Sequence, residues 1–345
     1  MQEGKKAAKG CCFIRKITTF AVFFRDFEIR GVRRLSRHMG CAHCEDGFLP
    51  VSPSRSHMIW RSVHRDGNPV STLTPTTKQK KESDMQHSPN SPSSTERVLE
   101  VRIGRGTLVF IATEPGDRPT PAIQVEMKDG VSASAHLRKA FKSQKMLSGV
   151  FDSALVLVDA PTMLVPKEEF KESDADQLFN HTFTGHERDA KCHADLEHLH
   201  AIALFAIEKD IMTVLSDHAR RCTYLPVCLP VWERYGRHSS VTRQRLLGYF
   251  HDGKIDIFCT VGNRFKFCNA FSATHSHDTL YFLLNAFTQL GMKSSRDEVV
   301  LLGSVPHQQW IADHLKKYVE RIVVEPLPDS KLPLDLSLLT NLPQP

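Results

Sequence analysis

From residue 97 onward the apolar positions fall into regular patterns that residues 1–95 lack. Val98-Leu-Glu-Val-Arg-Ile103 and Thr107-Leu-Val-Phe-Ile-Ala-Thr113 are β-branched and apolar, and Gly104-Arg-Gly106 separates them. That is a hairpin signature. Ala122-Ile-Gln-Val-Glu-Met127 alternates as a third strand. Leu137, Ala140, Phe141 and Gln144 then recur at i, i+3, i+4, i+7, which predicts an amphipathic helix over 133–147. Ser153-Ala-Leu-Val-Leu-Val158 is a continuous apolar run, expected of a strand covered on both faces.

The same word is spelled again about 145 residues later, a period worth testing before any other feature. Arg245–Phe250, Lys254–Thr260 and Arg264–Ala270 read as three strands. Asp252-Gly253 marks a tight turn between the first two. A helix is predicted over 277–291, with Leu280, Leu283, Leu284 and Phe287 on one stripe, Ser276 as its N-cap and Gly291 as its stop. Glu298–Leu302 is the next buried strand. Each half adds further elements: helix 168–180, strand 199–207 and helix 208–218 in the first, helix 307–319 and strand 321–324 in the second. The expectation is an α/β protein made of two βββαβ lobes with mixed sheets covered by helices.

Charge separates the N-terminal quarter from the rest. Residues 1–84 hold 16 Lys+Arg against 8 Asp+Glu, whereas residues 85–345 hold 29 against 31. The nearly neutral remainder argues against a general electrostatic grip on nucleic acid. Residues 51–90 offer no hydrophobic cluster large enough to offset the entropy of ordering, so 1–95 reads as a basic, unstructured extension. Cys41 and Cys44, with His43, His38 and the Cys11-Cys12 pair, invite a zinc reading. A structural site wants two such knuckles, and only one is present. The break in pattern suggests instead that translation starts at Met85. The longest N-terminal apolar run, residues 17–24, is far short of a membrane span. Nine cysteines in 345 residues fit a reducing, cytoplasmic protein better than a disulfide framework. The expected organisation is 1–95 extension, 96–240 first lobe with connector, 241–325 second lobe and 326–345 Pro/Leu-rich tail. That tail either docks across a lobe or stays free.

A duplicated βββαβ core resembles the actin-like ATPase fold, built from two ribonuclease-H-like halves. More closely, the text resembles an uncharacterised bacterial family, domain of unknown function 3822. The family-like stretches are residues 156–166, residues 265–271 followed by Asp278 and Tyr281, and Val299-Val-Leu-Leu-Gly303 before a helix. The resemblance spans roughly 97–325 and implies a fold similar to the actin-like proteins of type IV pilus assembly. It also implies where ATP and Mg²⁺ would sit. In that fold the first hairpin of each half cradles phosphates, and an Asp two residues before a glycine organises the metal. Aligned on Gly104, this chain has Arg102 in the Asp place. Aligned on Gly253, it has His251 there, and strand alternation aims Asp252 to the opposite face. The adenosine turn keeps only Gly303. Gly104, Gly106, Asp252, Gly253 and Gly303 are thus the candidate remnants of a nucleotide site, with no catalytic residue and no metal ligand assigned.

Other chemistry is sparse. His181, His186, His193, His198 and His200 cluster with Cys192, but residues 180–195 read as an exposed polar loop without a metal motif. Cys222, Cys228, Cys259 and Cys268 sit in or beside apolar strands and read as inert. Arg234, Arg237, His238, Arg243 and Arg245 form a basic connector. The leading expectation is a non-catalytic actin-like module that binds a protein partner and uses no cofactor. The alternative is a nucleotide-dependent switch or ATPase in the inter-lobe cleft.

Overall fold

The computed structural model describes residues 96–236, 242–327 and 332–339. The proposed start at Met85, the Cys41/Cys44 pair and the basic extension lie outside the described residues.

Strands β1 (Val98–Ile103), β2 (Thr107–Thr113), β3 (Ile123–Glu126), β4 (Ser153–Val158) and β8 (Cys222–Pro226) form a sheet in the order β3-β2-β1-β4-β8. Strands β9 (Gln244–His251), β10 (Lys254–Val261), β11 (Arg264–Ser272), β12 (Glu298–Gly303) and β13 (Arg321–Val324) form a second sheet in the order β11-β10-β9-β12-β13. The directions match as well. β1 and β2 are antiparallel while β1 and β4 are parallel, and the same holds for β9 with β10 and β9 with β12. The two halves are therefore topological copies, a duplicated ribonuclease-H-like fold. Among the described residues, only the first half carries an insertion, a three-stranded sheet of order β5-β7-β6 built from Thr162–Pro166, Ala201–Ile207 and Ala190–Leu196.

The strand alternation explains the layering. Leu99, Val101 and Ile103 pack with Leu137, Ala140 and Phe141 of helix α1 (Ala133–Ser143). Ser132 caps α1 by accepting a bond from the Ala135 N–H. The intervening Arg102 goes to the other face of the sheet. β4 is apolar throughout because both its faces are covered: Val156 and Val158 join the α1 core, and Leu157 joins a second cluster with Val109, Ile111, Leu336 and Leu339. The predicted helix over 168–180 is instead two short 3-10 turns and helix α2 (Ala175–Thr182). Helix α3 is Lys209–Ser216 and α4 is Leu229–Tyr235. Helix α5 (Ser276–Gln289) begins with Ser276 inside it and His275 at the cap position, one residue earlier than expected. Gly291, at φ +64°, terminates it as expected. Helix α6 is Gln308–Leu315 and α7 is Leu334–Leu339. Among the described residues, no helix is long and apolar enough to cross a membrane.

The segment expected as an exposed loop over 180–195 contains β6. Its signal is masked because the buried residue is a lysine. The Lys191 ammonium donates to the carbonyls of His186 and Asp189, both at 2.9 Å, and lies 4.8 Å from the centre of the Phe179 ring. A strand that buries a cation does not read as apolar alternation. The described part of the tail docks: four leucines of α7 pack against the rest of the protein.

Candidate functional site

The two copies meet at a cluster of charge. β1 sends the Arg102 side chain away from α1, to a position only 2% exposed. Its Nε donates to both carboxylate oxygens of Asp335, at 2.8 and 2.9 Å. Its Nη2 donates to Asp252 at 2.7 Å. Tyr249 donates its hydroxyl to Asp335 at 2.9 Å. Burial disfavours the Arg102 cation, but Asp335 and Asp252 outweigh that and hold it more firmly protonated than usual.

A second set of pairs adjoins the first. Lys254 is ion-paired with Asp159 and lies 3.2 Å from Asp256. Arg105, at the rim, reaches Asp159 at 3.2 Å. His251 lies between two acids, with Nδ1 2.9 Å from Asp252 and Nε2 2.8 Å from Asp256. A neutral imidazole has only one N–H to donate. Two carboxylate partners therefore define an imidazolium. Four acids (Asp159, Asp252, Asp256, Asp335) thus face four cations (Arg102, Arg105, Lys254, His251).

The pKa directions follow from this balance. Burial and Lys254 push His251 down, but Asp256 and Asp252 outweigh them and its pKa lies above the usual 6.5. Burial pushes Asp256 up, but Lys254 and His251 outweigh it and bring the carboxyl down to about 2. Burial likewise opposes ionisation of Asp252, and the bonds from His251 and Arg102 hold it far below the usual carboxylate range. The signs give a stability window. The His251 contribution is complete below about pH 6.5 and is lost as pH rises through its raised folded value. The Asp252 and Asp256 contributions are present above about pH 3.9 and are lost as pH falls through their depressed values. The melting temperature of the wild-type chain should therefore decline between pH 6 and pH 9, and the decline should be smaller in His251→Asn. Calorimetry across that range checks it; identical slopes in the two proteins would contradict the imidazolium.

Asp252 corrects an expectation. Strand alternation does not govern it, because Asp252 sits in the β9–β10 turn with a left-handed φ of +47°, followed by Gly253 at +71°. The type I′ turn swings its carboxylate to Arg102 of the other half instead of away from it. The sequence assigns no metal ligand here, yet a second acid, Asp159, stands near Asp252. Asp159, His251 and Asp252 each offer a ligand atom within 4.8 Å of the others. All three side chains are already engaged by Arg102, Arg105, Lys254 or Asp256.

The glycines divide by role. A Cβ on Gly104 would lie 2.6 Å from Arg102 Nη1 and 2.8 Å from an Asp252 oxygen, so this glycine makes room for the ion pair between the halves. Gly253 supplies the second left-handed residue of its turn. Gly303 adopts φ +80°, and a Cβ there would lie 2.2 Å from the carbonyl oxygen of Phe250. A Cβ on Gly106 would meet nothing within 4 Å, and the structure does not explain why a glycine stands there. The structure thus brings Gly104, Asp252 and Gly253 together, sets Gly303 against β9, and leaves Gly106 apart.

Sequence reasoning missed Asp159, Tyr249, Lys254, Asp256 and Asp335. A usable signal existed on β10, where Lys254 and Asp256 share one face of an otherwise apolar run. Asp335 had no such signal.

The histidines of the first half disperse. His186 pairs with Asp189 at 2.6 Å, His198 meets Glu233 at 3.0 Å, and His193 lies by the Phe170 ring. Burial pushes the Cys259 and Cys268 thiols up to about 12, in keeping with inert core cysteines. In the basic connector, Arg245 pairs with Glu298 at 2.5 Å, and Arg237 and His238 lie outside the described residues.

Residues 88–322 match the family described as protein of unknown function (DUF3822). The chain belongs to this family. No curated protein sequence matches the chain at a significant level. Among solved structures, this DUF3822 member is similar to a Bacteroides thetaiotaomicron protein of actin-like ATPase fold and unknown function. The two are 20% identical, over 72% of this chain and 97% of that one, with a TM-score of 0.65. Weaker likenesses are to a PilM–PilN type IV pilus biogenesis complex (11% identity, 68% and 89% covered, TM-score 0.43). Another is to the ethanolamine utilization protein EutJ from Carboxydothermus hydrogenoformans (9%, 72% and 91%, TM-score 0.35). These likenesses concern the fold. The DUF3822 chain has the actin-like ATPase fold, as its two matching sheets already indicate.

Proposed function

We propose that this protein is a non-catalytic, cytoplasmic binding module in which the two hairpins of the actin-like fold are tied to each other instead of holding a nucleotide between them. In this reading residues 96–240 are the first lobe with its connector and 241–325 the second. The carrying observation is the direct contact of the hairpins: Arg102 of the first half bonds Asp252 of the second at 2.7 Å, and Gly104 abuts the pair. A phosphate–Mg²⁺ group fits this donor set poorly. The metal would have to displace Arg102 from Asp252 and both Lys254 and Arg105 from Asp159. The phosphates would then meet acids stripped of their counter-charges. Stripping a buried ion of its partner costs about 3–5 kcal/mol. The partner is a protein, since the near-neutral charge of residues 85–345 offers little to nucleic acid.

A second reading, a nucleotide-dependent switch or ATPase, draws on one observation. A cavity of about 380 Å³ adjoins Gly104 at the N-terminal end of α1. Its size suits a small molecule. Its charge does not suit a triphosphate: Asp129, Asp159, Asp189 and Glu208 line it against Arg105, Lys128 and His186.

Thermal melting with ATP·Mg²⁺ decides between the two. A ligand at 100 times its dissociation constant adds about 2.7 kcal/mol, which is roughly 5–10 °C for a fold of this size. No shift is expected at millimolar nucleotide. A saturable rise in melting temperature would replace the first reading with the second.

A further inference from the structure

Helix α7 lies at the lobe junction, packed against α4, and belongs to neither sheet. It makes no strand pairing, and its Ser337 N–H bonds the Pro333 carbonyl within the same segment. Removing it would leave both five-stranded ladders intact. What would remain is a groove with apolar walls and a cation at its base. Leu336 and Leu339 fill one wall, against Val109, Ile111, Leu157 and Val227 of the first half. Leu334 fills the other, in a cluster with Leu247, Tyr249, Val300 and Leu302 of the second half and with Leu229 and Trp232 of α4. Between the walls, Arg102 Nε and the Tyr249 hydroxyl converge on the Asp335 carboxylate, which is completely buried. The donors come from β1 and β9, one from each copy, so only an occupant of the junction receives both.

These are the parts of a helix-in-groove recognition site: apolar anchors at fixed spacing and one charge that sets register. We propose that the groove beneath α7 is a peptide-binding site, filled in cis by residues 332–339, and that a protein partner docks there by presenting the same chemistry in trans. The partner's segment is a short leucine-rich helix with one aspartate in its first turn and leucines at the positions of Leu334, Leu336 and Leu339. The aspartate is the selective element. An apolar or amide side chain in its place leaves the Arg102 guanidinium short of one buried carboxylate. The tethered tail competes at high effective concentration, so the groove opens to partners that bind better than a single tail peptide. The proposal rests on the reading of this chain as a binding module and supplies the class of its partner.

The test uses the full-length chain with a protease site introduced between Leu327 and Leu332, cleaved after folding. A fluorescein-labelled peptide spanning residues 332–339 is titrated against it and followed by polarisation. Saturable binding to the cleaved protein is expected, at least tenfold weaker to the uncleaved one. The peptide carrying Asp335→Asn should bind at least tenfold more weakly than the parent peptide. Absence of binding, equal binding of the two peptides, or unfolding of the chain on cleavage would each overturn the proposal, the last by making α7 a permanent part of the core. The nucleotide titration is independent of these outcomes. A chain that binds ATP·Mg²⁺ and also accepts the peptide keeps the groove and loses the non-catalytic reading; a chain that binds neither loses only the groove.

Discussion

Arg102→Met should lower stability by about 3–5 kcal/mol, the range seen when one partner of a buried ion pair is removed. The methionine fills the space but strands two acids. Among the described residues, Asp335, completely buried, keeps only the Tyr249 hydroxyl and the Leu336 N–H as donors. Asp252 keeps only His251. For a fold of this size the melting temperature should fall by roughly 6–20 °C. The cause is distinguishable from lost packing. Arg102→Met combined with Asp335→Leu removes both buried charges and should recover a large part of the loss, because an apolar pair at such a place is often as stable as the ionic one. The double-mutant cycle measured by denaturant unfolding reads this coupling directly. A single-variant loss below about 1 kcal/mol, the scale of an exposed ion pair, would mean that the junction is wet and the charges solvated.

Gly303→Ala should cost about 2–5 kcal/mol. The position needs φ +80°, where an L side chain is strained by about 1–2 kcal/mol. The added methyl would also lie 2.2 Å from the Phe250 carbonyl oxygen, a backbone atom of β9 that also accepts the Ser304 N–H at 3.0 Å. That carbonyl cannot step aside without breaking its bond, so an overpacking penalty of about 1–3 kcal/mol adds to the strain. Gly106→Ala is the control: nothing lies within 4 Å of its added methyl, and its φ is not left-handed. It should leave the unfolding midpoint nearly unchanged. Equal losses at the two positions would remove the geometric account of Gly303.

Most of the architecture was legible in the sequence because it rests on local periodicity. β2, β4 and β13 have the predicted bounds, and the two hairpins and the duplicated order follow from apolar runs parted by Gly-containing turns. The segments that escaped are those whose burial is polar. β6 buries Lys191, so its pattern looked solvated. α7 is six residues long, too short to show a helical period, and its buried acid sits among leucines and prolines. The candidate site was half legible. Arg102 and His251 were visible as wrong residues in familiar places. Their meaning was not, because it depends on partners 150 and 233 residues away from Arg102. Asp252 was misread for a different reason: the two-residue period holds only within a strand, and a left-handed turn residue obeys no such rule.

Those separations bear on how the molecule is made. Translation at 5–20 residues per second needs roughly 10–50 s to go from Arg102 to Asp335. The first sheet can fold against α1 well before that, since its hairpin and crossover are local. Its opposite face, with Arg102 among Val109, Ile111 and Leu157, must wait on the ribosome for both a counter-ion and a cover. The nascent chain therefore passes through a stage in which a half-built, sticky surface is the natural client of chaperones.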